Sequence, residues 1–251
     1  MRNVLLFIWS TLGIGLFIAC DRQPDRSAGA GPANRIIDRA VAVHGGDNYQ
    51  KFTIDFDFRK FHLHLQHDGG RFRYERTYAD SAGRAIREVL TNDTLLRYVD
   101  NQPQRLDTAG YRRWSNAVNS VAYFVLLPYK LQDPAVMADY VGDVQLDGQL
   151  YDKVRVRFRA EGGGEDYRDT FFYWFNRQTG TMDFLAYSEG GPRFRKAVNP
   201  RTVGGIRFQD YINYKGDDND TTSVGTYDER YRRGQLPVLS RIEQTNIRVT
   251  H

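Results

Sequence analysis

Thr53-Ile54-Asp55-Phe56-Asp57-Phe58-Arg59-Lys60-Phe61-His62-Leu63-His64-Leu65 decides the fold class. Ile54, Phe56 and Phe58 alternate with Asp55, Asp57 and Arg59, and Phe61, Leu63 and Leu65 then alternate with Lys60, His62 and His64. Successive side chains of a strand point to opposite faces, so a period of two marks two half-buried strands with one apolar and one polar face each. The His67-Asp68-Gly69-Gly70 turn leads into Phe72 and Tyr74, set between Arg71, Arg73 and Glu75, and extends the pattern as a hairpin.

Outward from this stretch the same signal recurs. Residues 88–99 read as two short strands around Thr91-Asn92-Asp93, and Val154, Val156 and Phe158 alternate with Arg155, Arg157 and Arg159. Strands follow at 170–175, 182–187, 194–198, 206–214 and 239–249, separated by turns at Gly162-Gly163-Gly164, 176–181, Asn199-Pro200 and 217–222. The period changes in three places. Ile36, Ile37, Ala40 and Val41 predict a helix over 32–44, opened by Pro32 and stopped by Gly45-Gly46. Tyr111, Trp114, Val118, Val121 and Val125 predict a second over 107–127. Asp133 and Pro134 predict a short third, with Val136, Met137 and Tyr140 as its apolar residues. About ten strands and three helices give a mainly β (α+β) fold: a single large curved antiparallel sheet forming an incomplete barrel, its apolar face covered by the helices.

The first residues predict a lipoprotein signal peptide over 1–19. Arg2 is followed by an apolar run from Val4 to Ile18, which closes on Phe17-Ile18-Ala19-Cys20 with a small residue before the one cysteine of the chain. Phe17 departs from the leucine usual at that position. A transmembrane anchor is the competing reading of an apolar run near 20 residues long. Lipidation at Cys20 predicts attachment to a membrane through an acyl lipid such as palmitate, and leaves no thiol for disulfides, metal or nucleophilic chemistry. Residues 20–31 are Asp, Arg, Gln, Pro, Ser, Ala and Gly after Cys20, with too little apolar surface to fold, which predicts a flexible tether. Residues 32–251 are then expected to form a single half-barrel domain.

The net charge is +4, and of 35 Lys and Arg only six are Lys. A basic surface suits anionic headgroups, but it is also an ordinary solvated surface. Nucleic acid is not expected as a partner: the chain is read as exported and carries none of the familiar nucleic-acid motifs.

His44-Gly45-Gly46, Phe56-Asp57-Phe58-Arg59, Asn119-Ser120-Val121, Tyr123-Phe124, Leu127-Pro128-Tyr129, Tyr173-Trp174, Leu185-Ala186-Tyr187, Arg193-Phe194-Arg195 and Asp210-Tyr211 occur in this order along the chain. Together they resemble an uncharacterised family of bacterial lipoproteins, known mainly from the Bacteroidota, over nearly the whole mature chain. That family is distantly similar to the Lol-type lipoprotein carriers and receptors. The resemblance implies an incomplete barrel closed by helices around an apolar cavity for acyl chains.

No catalytic constellation is legible. There is no Gly-x-Ser-x-Gly elbow, phosphate loop or zinc-protease motif. Some relatives carry an aldolase label, yet Lys60 and Lys153 fall on the polar sides of their strands and Lys215 borders an acidic loop, settings unlike that of a Schiff-base lysine. His62 and His64 share one strand face, as a zinc or copper pair could, but spacing fixes no third ligand. Residues 217–222 offer oxygens without the pattern of a calcium loop. No metal and no cofactor are therefore expected.

The expected function is a non-enzymatic, membrane-anchored lipoprotein that binds an acyl chain, lipid or other apolar ligand. Trp114, Val118, Tyr123, Phe124, Tyr173, Trp174, Phe184, Tyr187 and Phe194 are the candidate pocket residues, and Arg155, Arg157 and Arg159 would face headgroups. The alternatives are an envelope enzyme acting on a small or carbohydrate substrate in the same concavity, or an envelope assembly partner. The expected location is the cell envelope, at the outer membrane facing the periplasm.

Overall fold

The apolar stripe of Phe52, Ile54, Phe56 and Phe58 and that of Leu63 and Leu65 are buried together, as their alternation requires. They belong to strands β1 (Lys51–Phe58) and β2 (Phe61–Asp68), paired with Ile54 opposite Leu65 and Phe56 opposite Leu63. Each such side chain contributes about 1.5–3 kcal/mol by leaving water, which is why the register is not free to slip. The computed structural model describes residues 31–161, 169–188, 191–216 and 224–251. The predicted signal peptide, Cys20, nearly all of the predicted tether, the predicted turn at Gly162-Gly163-Gly164 and the predicted loop at 217–222 lie outside the described residues.

The sheet continues through β3 (Arg71–Ala79), β4 (Ala85–Thr91), β5 (Leu95–Val99) and the short edge β6 (Gln102–Pro103). A second sheet holds β7 (Val136–Leu146), β8 (Gln149–Phe158), β9 (Phe171–Asn176), β10 (Met182–Tyr187), β11 (Arg193–Val203) and β12 (Ile206–Lys215). The last stretch links the two. β13 (Val238–Ile242) pairs with β12, and one residue later β14 (Gln244–Thr250) pairs with β1. The expected single sheet is thus parted into two seven-stranded antiparallel sheets, with the predicted strand 239–249 broken at Glu243 where it crosses between them. The fold is mainly β and open, with three helices among the described residues.

Helix α1 (Pro32–His44) forms where it was expected and buries Ile37, Ala40, Val41 and His44. Helix α2 (Thr108–Val125) is capped by Asp107, whose carboxylate accepts the Gly110 amide at 2.7 Å. Asp107→Ala removes that acceptor and should cost about 1 kcal/mol, read as a lower urea midpoint at unchanged m value.

The third helix is not where the sequence placed it. Residues 136–146 are strand β7, because Val136, Ala138 and Tyr140 also alternate at period two and β8 offers them antiparallel partners in Phe158, Val156 and Val154. Gly142, with φ +117°, marks a bulge that turns the apolar side to the opposite face, so that Val144 and Leu146 join a second core. Helix α3 is instead Tyr227–Arg232, with Asp228 and Glu229 in its first turn and Arg230 and Arg232 in its last, as the helix dipole favours.

There are consequently two cores. The larger lies against α1, α2 and the apolar faces of both sheets. The smaller lies on the other face of the second sheet, beneath α3 and the turn before it.

Candidate functional site

The candidate site is built where the C-terminal half of α2 meets both sheets. Phe124 lies 6.2 Å from Phe58 of β1 and 5.1 Å from Tyr211 of β12. Its neighbour Tyr123 meets Phe158 of β8 edge-on at 6.0 Å. From there the contacts run back along the second sheet, Phe158 to Phe171 at 5.5 Å and Phe171 to Tyr187 at 6.1 Å. Arg195 of β11 closes the circuit, with its guanidinium 4.9 Å from the Tyr187 ring and 4.6 Å from the Phe124 ring. Tyr123, Phe124, Phe171 and Tyr187 remain only partly buried. An aromatic wall that faces the core side and still meets solvent is suited to covering an apolar ligand.

The nine pocket residues proposed from sequence do not form one wall. Val118 and Tyr173 are buried in the larger core, and Trp114, Tyr123, Phe124 and Tyr187 pack against it. Trp174, Phe184 and Phe194 are buried on the opposite face of the sheet. The reason is strand parity: Trp174 must point away from its neighbour Tyr173. On that second face the Trp174 indole donates to Asp228 at 3.1 Å, and Lys153 reaches the same carboxylate at 2.8 Å, which pins α3 to the sheet.

At the other end of α2, Trp114 lies 3.9 Å from the guanidinium of Arg97. Arg97 and Arg76 both bind Glu88, which is fully buried, and Arg76 also donates to the Ala117 carbonyl of α2 at 3.2 Å. These charges sit on the core-facing side of the first sheet, where the sequence reading placed only apolar residues.

Several of the remaining charged groups form local pairs. His62 and His64 face Asp57 and Asp55 across β1 and β2 at 2.8 and 2.7 Å. Asn246, then His62, hold the Asp57 carboxyl below the usual range by hydrogen bonding. No group of three His, Cys, Asp or Glu able to hold a metal occurs among the described residues. Arg155 and Arg157 both bind Asp139, at 3.0 and 3.1 Å. Beside the turn from β1 to β2 runs an open groove of about 670 Å³, with Arg59, Lys60 and Arg87 among its walls and Phe61 and Tyr78 among its rings.

Among the described residues no helix is long and apolar enough to cross a membrane. No curated protein matches the chain. Among solved structures it is similar to a LolA superfamily protein from Nitrosomonas europaea, at 10% identity and a TM-score of 0.49, covering 88% of this chain and 93% of that one. It is also similar to a DUF1329 family protein from Desulfovibrio piger, at 13% identity and a TM-score of 0.46, covering 87% and 93%. With residues 16–244 matching its family model, the chain belongs to DUF6503, a family of unknown function.

Proposed function

We propose that this protein is a lipoprotein of the cell envelope, held to a membrane by lipid on Cys20, that binds an acyl chain or a similar apolar ligand without turning it over. The observation that carries this reading is the partly exposed aromatic wall of Tyr123, Phe124, Phe171 and Tyr187 on the core side of an open, helix-covered sheet. Val118 and Tyr173 are buried in the same core, whereas Trp174, Phe184 and Phe194 brace α3 on the other face. The membrane is the outer one, with the β domain toward the periplasm, a placement that rests on the lipoprotein reading of the first 20 residues.

The test is native mass spectrometry, with lipid extraction, of the full chain exported and purified from a bacterial host. A non-covalent acyl-chain ligand at near-unit occupancy is the expected result, and Phe124→Ala should weaken its binding by removing the ring that covers the chain. A protein that emerges empty and also fails to take up a fluorescent fatty acid would sink the reading.

A further inference from the structure

The second sheet is rich in cations, and several of them are matched. Lys153 has Asp228, Arg155 and Arg157 share Asp139, Arg177 has Asp152, Lys196 has Asp147 and Arg201 has Asp210. Arg195 is different. Its guanidinium lies between the rings of Phe124 and Tyr187, and its hydrogen bonds go to neutral groups, the Tyr187 hydroxyl at 2.5 Å and the Asn213 carbonyl oxygen at 3.4 Å. No carboxylate lies within ion-pairing distance of it among the described residues. After burial, Tyr187 and Tyr211 favour its charged form, and Arg59 and Arg193, which share its sign, oppose it.

This is a costly arrangement for a protein with no use for it. Arg195 is half-buried, ring faces return only about 0.5–2 kcal/mol, and an anion at its free donors would offset the water it has lost. Burial first, and then its cationic neighbours, disfavour the charged form of Arg195. Two of its five donor hydrogens are used by the two bonds above, and the planar fork matches a carboxylate or a phosphate. The position matters equally: Arg195 closes the aromatic circuit, so an acyl chain lying along those rings would present its polar end there. Arg59, at the turn that walls the open groove, adds positive charge on the side toward solvent.

We propose that Arg195 is the headgroup anchor of the site, and that the ligand is a single-chain amphiphile ending in a carboxylate or a phosphate. This rests on the acyl-chain reading above and narrows it from any apolar molecule to an anionic one.

Native mass spectrometry of the full-length protein, released from a non-ionic detergent and titrated with palmitate, hexadecyl phosphate and hexadecanol, separates the two claims. Both anions are expected to bind at least about tenfold more tightly than the alcohol, the discrimination of a charge-assisted hydrogen bond. Arg195→Gln should erase that preference, and Arg195→Lys should retain part of it. Tighter palmitate points to a free fatty acid as the natural source, and tighter hexadecyl phosphate to a phospholipid; either outcome supports the anchor. Equal binding of alcohol and anions by the unaltered protein overturns the headgroup proposal and leaves the acyl-chain reading standing, as does an anion preference that survives in Arg195→Gln. Failure of all three compounds to bind overturns both.

Discussion

Glu88→Gln lowers the stability of the folded chain by about 3–5 kcal/mol, the range found when one partner of a buried ion pair is removed and the other charge is left behind. Glu88 is fully buried, and the two guanidiniums that converge on it, Arg76 and Arg97, have side chains only 6% and 12% exposed. An amide keeps one acceptor oxygen, turns an NH2 donor toward the other guanidinium, and neutralises neither. Two cations would then share the space under α2 with nothing but the faces of Phe61, Tyr78 and Trp114 to offset them. The loss also reaches the helix, since the Arg76 that Glu88 orients is the group that holds the Ala117 carbonyl. In a thermal melt the expected fall is roughly 6–20 °C for a domain of this size. A counter-experiment fixes the cause: replacing all three charges together, Arg76→Met with Glu88→Leu and Arg97→Met, should restore most of the lost stability. If the triple variant is as unstable as Glu88→Gln, shape and not charge is what the triad supplies.

That triad marks where sequence reading ran out. The alternation of Ile54, Phe56 and Phe58, and of Leu63 and Leu65, was legible because one face of each strand is uniformly apolar. In β3 and β4 the core-facing positions include Arg76 and Glu88, and a period-two pattern treats both as surface residues. Only pairing across the sheet, Arg76 opposite Glu88 and Glu88 opposite Arg97, makes them acceptable inside. The displaced third helix has the same origin. Val136, Ala138 and Tyr140 fit a strand as well as Val136, Met137 and Tyr140 fit a helix, and the ten-residue register with β8 that decides between them is not local information. In contrast α3 did carry a local signal, with Tyr227 and Tyr231 four apart between acidic and basic turns, but six residues are too few to stand out as a helix without the sheet beneath them.

Of the aromatic residues singled out from the sequence, only some share a face. Choosing aromatics found Tyr123, Phe124 and Tyr187, which converge, but also Trp174, Phe184 and Phe194, which a strand's parity sends to the other face. Arg195 was passed over because a charged residue beside a buried Phe194 reads as the solvent side of a strand. In this sheet both faces are covered, one by α2 and one by α3, so the usual inference from alternation fails there.

Acid should destabilise the protein through His44. The imidazole ends α1 inside the larger core, and its Nε2 accepts the Met182 amide at 3.1 Å, so the ring's single proton resides on Nδ1, which has no hydrogen-bond partner. Burial, and after it the charge of Arg207, push the His44 pKa down to about 3, whereas an unfolded histidine titrates near 6.5. The sign follows directly. Between those values the unfolded chain takes up a proton that the folded chain refuses, so this contribution is complete above pH 6.5 and drains away as the pH falls toward 3. One proton corresponds to about 1.4 kcal/mol per pH unit, so at pH 4.5 His44 alone should have removed roughly 2–3 kcal/mol. His44→Gln can still accept the Met182 amide and does not titrate. Urea unfolding of both proteins between pH 7 and 4.5 should therefore give a shallower loss for the variant, smaller by about one proton. Exposed carboxylates such as Asp57 and Asp139 titrate alike in the two and cancel in the comparison. Parallel slopes would mean that the folded protein protonates His44 as readily as the unfolded chain does, and that the end of α1 opens to water in acid without the rest of the fold following.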